Sequence, residues 1–162
     1  MAPLNRPQEI QIIRGRDTTI TADGRAYPLM VVSTAGDLEV DAYNEFFDWR
    51  TQWTDFASAN QQKIVVIALN ETMKPPSATV RKHIAEKVKD DDKIDGLLCV
   101  YMVVPNAVLR GIVTAVMWVA GSSEKVKNTA TFADAVQASR RILSEHGFTH
   151  PPFDCETYVV PT

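Results

Sequence analysis

Between residues 63 and 145 an apolar, strand-like run and a helix-patterned run alternate three times. Residues 63–69 (KIVVIAL) lead into a helical pattern over 77–90. Residues 96–104 (GLLCVYMVV) lead into one over 106–120, and 129–132 into one over 133–145. Parallel neighbours need a crossover, and the crossover is usually a helix, so this order predicts a mostly parallel sheet covered by helices.

The N-terminal third reads differently. Residues 9–13 and 18–21 have the character of short strands. Asp23-Gly24 is a hairpin signal, because both residues tolerate positive φ. Residues 29–33 (LMVVS) form the next strand, with Pro28 just before it, where a missing backbone donor does least harm. After Gly36 the period changes to that of a helix over 40–60, with Ala42, Phe46, Trp49, Trp53 and Phe56 in one stripe, widened by Tyr43, Phe47 and Ala57. The stripe is read as a core face. The alternative is an apolar pocket beside the sheet, lined by Phe46, Trp49 and Trp53 and holding a lipid or a small apolar molecule. The expected order is β-β-β-α-β-α-β-α-β-α in one mixed α/β domain over 1–162. Gly147 ends the last helix, and residues 147–162 form a tail that Pro151-Pro152 starts in an extended form.

A chain of 162 residues can bury about two thirds of its unfolded surface without disulfides or metal. Its net charge of −3, with the two signs interspersed, argues against a nucleic-acid partner. Cys99 falls inside an apolar strand and behaves as a small hydrophobe. A disulfide to Cys155 is therefore not expected, and a reducing cytoplasm is. Residues 1–11 lack the apolar centre of a signal peptide. Residues 97–121 would score as a membrane span, but Pro105 and Asn106 interrupt them and Arg110 lies near the middle. A buried strand followed by a capped helix is the better reading.

The strand over 64–69 that ends at Asn70, the helix starting near Ser77, and the Phe132-Ala133-Asp134-Ala135-Val136 opening of the last helix resemble the STAS-like superfamily of sulfate-transporter and anti-sigma-factor-antagonist domains. The resemblance covers about residues 9–147. It implies a mixed sheet with helices packed on it, and a protein-binding surface around the loop between the 64–69 strand and its following helix. In anti-sigma antagonists that loop carries an Asp at the strand end and an Asp-Ser-Ser/Thr-Gly sequence whose hydroxyl is phosphorylated. Here Asn70 stands at the strand end, no Asp precedes Ser77 and no Gly follows it. Ser77 and Thr79 are the candidate phosphoacceptors the resemblance implies.

Physical chemistry assigns Ser77 a structural role as well. A Ser just before a helix accepts from the first-turn amides and stabilises the helix by roughly 1 kcal/mol. His146, His150, Asp154 and Cys155 straddle a Gly and a Pro-Pro pair and match no metal-ligand spacing, so neither metal nor cofactor is expected. Arg81, Lys82, His83, Lys87 and Lys89 read as a solvated face beside the Val80, Ile84, Val88 stripe, offset by Glu86 and Asp90–Asp92. No phosphate loop, dinucleotide fingerprint or nucleophile elbow is present, and a non-enzymatic protein is expected. The 106–120 helix is unusual. It is apolar nearly all round apart from Arg110 and Thr114, so Ile112, Val116 and Trp118 are the candidate partner-binding residues, with self-association the expected form. The apolar Tyr158-Val159-Val160 of the tail is expected to fold back onto the same helix. Together these readings anticipate a cytoplasmic regulatory domain that works by protein–protein interaction.

Overall fold

The computed structural model describes residues 4–119 and 124–162, and for 71–73 and 116–119 the backbone alone. Its elements are β1 (Ile10–Arg14), β2 (Thr18–Asp23), β3 (Leu29–Gly36), α1 (Val40–Ala59), β4 (Ile64–Met73), α2 (Ala78–Val88), β5 (Leu97–Val103), α3 (Ala107–Val119), β6 (Val126–Thr129) and α4 (Phe132–Glu145). A 3-10 turn, Asp91–Lys93, follows α2. The six strands form one sheet in the order β1-β2-β3-β4-β5-β6. The pairs β1–β2 and β2–β3 are antiparallel, and β3–β4, β4–β5 and β5–β6 are parallel. This is the mixed, mostly parallel α/β sheet with four helices that the sequence predicts.

Sequential strand order places the helices. Three successive crossovers of one hand, each moving one strand along, must all lie on the same face. Accordingly α1, α2 and α3 share one core with the sheet, where Phe46, Trp53, Val80, Leu109 and Val113 meet Ile20, Val32 and Val66. α4 follows the edge strand β6 and leads to no further strand; it lies on the opposite face, where Ala135, Val136 and Leu143 cover Leu29, Val65, Ile67 and Tyr101. Alternation along β4 serves both layers, with Ile64 and Val66 on the first face and Val65, Ile67 and Leu69 on the second. A strand covered on both sides reads as a continuous apolar run.

Three expectations are corrected here. The turn after Asp23 exists, but Gly24 is not among the positive-φ glycines, and the connection runs over residues 24–28. The site demands space instead, for a Cβ on Gly24 would lie 2.7 Å from Trp53 Cζ2 and 2.8 Å from Met30 Cε. The last strand lies at Val126–Thr129, ahead of the predicted 129–132, and Phe132 already opens α4. The tail does fold back, but not onto α3. Phe148, Phe153, Cys155 and Tyr158 pack into the α4 layer, with Phe153 and Tyr158 ring centroids 5.8 and 5.6 Å from that of Phe132. α3 lies on the far side of the sheet. The strip beside α4 is the apolar surface a chain leaving α4 reaches first.

Helix ends follow local chemistry. Thr131 Oγ1 accepts from Asp134 N at 3.1 Å to start α4. At its other end Gly147 adopts φ +76 and Phe148 N donates to Leu143 O at 2.9 Å, the bond that closes a helix with a left-handed residue. Asn106 Oδ1 accepts from Val108 N and Leu109 N at 2.9 and 3.1 Å and starts α3. Among the described residues no helix is long and apolar enough to cross a membrane.

Candidate binding site

Two neighbouring features on the α1–α3 face could receive a partner. The first is a cavity of about 90 Å³ between the sheet and the three helices. Its floor is Ile20, Val32, Thr34, Val66, Ala68, Asn70, Val100 and Met102 from the strands. Its roof is Leu38, Tyr43, Phe46, Phe47 and Arg50 from α1 and the turn before it, Arg81, Ile84 and Val88 from α2, and Ile112 and Val113 from α3. It forms because β5 presents Val100 and Met102 on this face, both only half-buried, where the helices leave room.

Of the pocket residues expected from the sequence, Phe46 lines this cavity. Trp49 and Trp53 are buried elsewhere in the same layer. Trp49 Nε1 donates to Gln8 O at 3.0 Å, and the Trp53 ring stacks on Tyr27 at 5.4 Å between centroids. The aromatic stripe is therefore divided along its length. One half is solid core, and the other half roofs the cavity.

Among the polar residues of the lining, Arg50 is 5% exposed and Asp91 beside it is at 0%. Arg50 Nη1 donates to Asp91 Oδ2 at 2.9 Å and Nη2 to Asp91 Oδ1 at 2.7 Å, so one fork holds both carboxylate oxygens. The guanidinium also lies 4.7 Å from the Phe47 ring centroid. Its Nε–H has no hydrogen-bond partner among the described residues. An unmet buried donor costs on the order of 1–3 kcal/mol. The Tyr43 phenol, on the same wall, is pushed up to about 12 by burial, so it is a neutral hydroxyl at physiological pH.

The second feature is a cleft of about 240 Å³ at the carboxyl ends of β4 and β5, lined by Asn70, Pro75, Pro105, Asn106, Val108, Leu109 and Ile112. Asn70 and Ile112 are walls of both cleft and cavity. Asn70 is buried and its Nδ2 donates to Ala68 O at 3.2 Å. Arg110 Nη1 ties down the loop, donating to Val104 O and Pro105 O at 2.8 and 2.7 Å. On α3, Leu109 and Val113 face inward, Ile112 is half-buried, and Ala107, Val108, Gly111, Thr114 and Ala115 are exposed, Val108 at 75%. The side chains of Val116 and Trp118 lie outside the described residues.

Ser77 and Thr79 are both exposed at the start of α2. Ser77 Oγ accepts from Val80 N at 3.3 Å, which is the cap the sequence predicts. Sequence reasoning missed Arg50, Asp91 and Arg81 as parts of one lining. The signal for Arg50 was a charged residue one turn beyond Phe46 and one before Thr54 and Ala57 on a buried stripe. Its partner is 41 residues away and leaves no trace in a local pattern. Among the described residues His146 and His150 bond to nearby carbonyls, those of Ile142 and Pro151, while Asp154 receives Glu156 N and the Thr157 hydroxyl.

No protein-family model matches this sequence, and neither does any curated protein. Among solved structures the fold is similar to the crystal structure of an anti-sigma factor antagonist from Mycobacterium paratuberculosis. The similarity has a TM-score of 0.45 and 15% identity, and covers 76% of this chain and 94% of that one.

Proposed function

We propose that this protein is a non-enzymatic regulatory module acting by protein–protein contact, with the outer face of α3 as its docking surface and a second copy of the chain as its first partner. The observation that supports this reading is the composition of that face. Ala107, Val108, Gly111 and Ala115 all lie in solvent, and Thr114 alone among the exposed side chains of the described helix is polar. A surface helix of a monomer ordinarily turns a charged face to water. Ser77 and Thr79 are exposed at the start of α2, and α2 packs against α3. Phosphate on Ser77 would sit at the positive end of α2 and place charge beside an apolar docking face, which gives the contact a means of control.

Sedimentation of the wild type and Val108→Glu tests the reading. The wild type should associate as concentration rises, and V108E should remain monomeric with an unchanged melting temperature, because the side chain is already in water. A wild-type monomer at every concentration sinks the self-association. A Ser77→Asp chain that associates as the wild type does removes the phosphate control.

A second reading, binding of a small apolar molecule, is favoured by the cavity beneath α1. Its volume of about 90 Å³ lies well below the roughly 300–1,000 Å³ of drug-sized sites, which favours a compact molecule over an acyl lipid.

A further inference from the structure

We infer that the cavity takes a short monocarboxylate with a compact, branched apolar body, and that the carboxylate sits on the Arg81 guanidinium at the end of the cavity nearest the start of α2. The inference rests on the small-molecule reading above and adds the ligand's charge and its anchor. The size of the body follows from the walls, where Val32, Phe46, Val66, Met102 and Ile112 help to enclose about 90 Å³. An engineered apolar cavity of about 150 Å³ takes up benzene, so this smaller one calls for a body of about five carbons or fewer.

The charge follows from the ionised side chains on the lining. They are Arg50, Arg81 and Asp91, and the other polar residues there, Thr34, Tyr43 and Asn70, are neutral. Asp91 gives both of its carboxylate oxygens to Arg50, so that pair cancels. Arg81 stays protonated at any physiological pH and has no carboxylate within ion-pair distance among the described residues. The lining therefore carries one positive charge in excess, and a single anion balances it.

The anchor's position follows from the side-chain bond Arg81 makes. Its Nη1 donates to Pro76 O at 3.0 Å, and Pro76 also lines the cavity. The guanidinium thus lies back at the N-terminal end of α2, the direction in which helical side chains lean. Among the described residues Pro76 O is the acceptor of that side chain, which leaves most of its fork of N–H groups for the two oxygens of a carboxylate. Arg81 is half-buried. A carboxylate there keeps part of its water while its body is enclosed, which avoids the cost of a charge sealed in the core. The cleft adjoins this end, since Asn70 and Ile112 line both spaces and Pro75 of the cleft precedes Pro76 of the cavity.

The test uses the full chain with isovalerate and its neutral isostere isovaleramide. Binding is followed by NMR, through the methyl resonances of Val66, Met102 and Ile112 and the Arg81 Nε–H resonance. Isovalerate should move all of these and bind roughly tenfold or more tighter than the amide, because a hydrogen bond between charged groups is about twice as strong as a neutral one. Arg81→Gln should bring isovalerate down to the affinity of the amide, and Ala68→Leu, which fills the floor, should keep the folded spectrum and abolish binding of both. Equal binding of the two probes by the wild type overturns the anionic class while leaving the cavity a ligand site. Isovalerate that binds tighter but leaves the Arg81 resonance unmoved overturns the anchor, whether or not R81Q folds. Methyl resonances unmoved at saturation place the anion outside the cavity and overturn the inference. A response to neither probe overturns both the inference and the small-molecule reading.

Discussion

The Tyr158 hydroxyl donates to Asp23 Oδ2 at 3.1 Å, tying the chain's last segment to the β2–β3 hairpin 135 residues earlier. Asp23 also receives Arg25 Nε at 3.0 Å and Nη2 at 2.7 Å. The contact therefore joins the tail to an ion pair that already closes the turn.

Tyr158→Phe should lower stability by about 1 kcal/mol, the net value of a typical hydrogen bond, since Asp23 keeps Arg25. The pH dependence follows from two opposed shifts. Burial alone would raise the Asp23 carboxyl, but the bonds from Arg25 and Tyr158 hold it below its ordinary 3.8. A lowered carboxyl stabilises above its unfolded value, and that contribution disappears as pH falls below about 3.8 toward the folded value. Burial and then the Asp23 charge raise the Tyr158 phenol above its ordinary 10.0, so its contribution is complete below pH 10 and is lost as pH climbs beyond. Urea midpoints across both limbs should show Y158F less sensitive than wild type above pH 10. Parallel alkaline limbs would count against the contact.

Arg50 and Asp91 are buried together, so removing one leaves the other's charge unpaired. Arg50→Ala should cost about 3–5 kcal/mol, whereas Arg50→Met combined with Asp91→Val should recover most of that loss. Denaturant midpoints of the single and double variants decide it. A double variant as unstable as the single would mean that Arg50 acts through packing on Phe47 and not through charge.

What the chain revealed of itself depended on whether a signal was local. β4 and β5 were legible because burial on both faces makes an unbroken apolar run. β6 was misplaced because at the sheet edge it exposes Lys127 and Asn128 and carries little apolar signature. The caps at Ser77 and Thr131 and the stop at Gly147 are each contained within one helical turn. The tail's docking face was not legible, because it depends on α1–α3 all crossing one side of the sheet and leaving the other to α4. The cavity was half legible: the aromatic stripe announced α1, but which part of it is solid depends on where β5 and α3 sit, and Arg50's partner lies beyond any local window.

Two glycines should respond oppositely to alanine. A Cβ on Gly96 would overlap the Thr54 carbonyl where α1 passes the start of β5, and Gly96 O also accepts from Ile64 N at 2.8 Å. Gly96→Ala should cost about 1–3 kcal/mol through overpacking. Gly111, within α3, has nothing within 4 Å of its Cβ position. Gly111→Ala should stabilise by about 0.5–1 kcal/mol, because alanine loses less freedom in a helix. Thermal melts of both read the difference directly.

Ser77 combines a structural duty with the position of a candidate phosphoacceptor, and the two separate by substitution. Its backbone is extended, with φ −61 and ψ 161, its carbonyl accepts from Arg81 N at 2.9 Å, and its hydroxyl accepts from Val80 N at 3.3 Å. The hydroxyl contact is longer than the 3.1 Å of Thr131 with Asp134, so Ser77→Ala should lose toward 0.5 kcal/mol and Thr131→Ala nearer 1, within the usual range of cap removal. Ser77→Asp should retain wild-type stability, because a carboxylate caps the same amides and its charge suits the positive end of α2. Chemical denaturation of the three variants, followed by far-ultraviolet circular dichroism, ranks them. An S77A protein as stable as wild type would show that the hydroxyl does not cap α2, leaving any value of Ser77 to its chemistry alone.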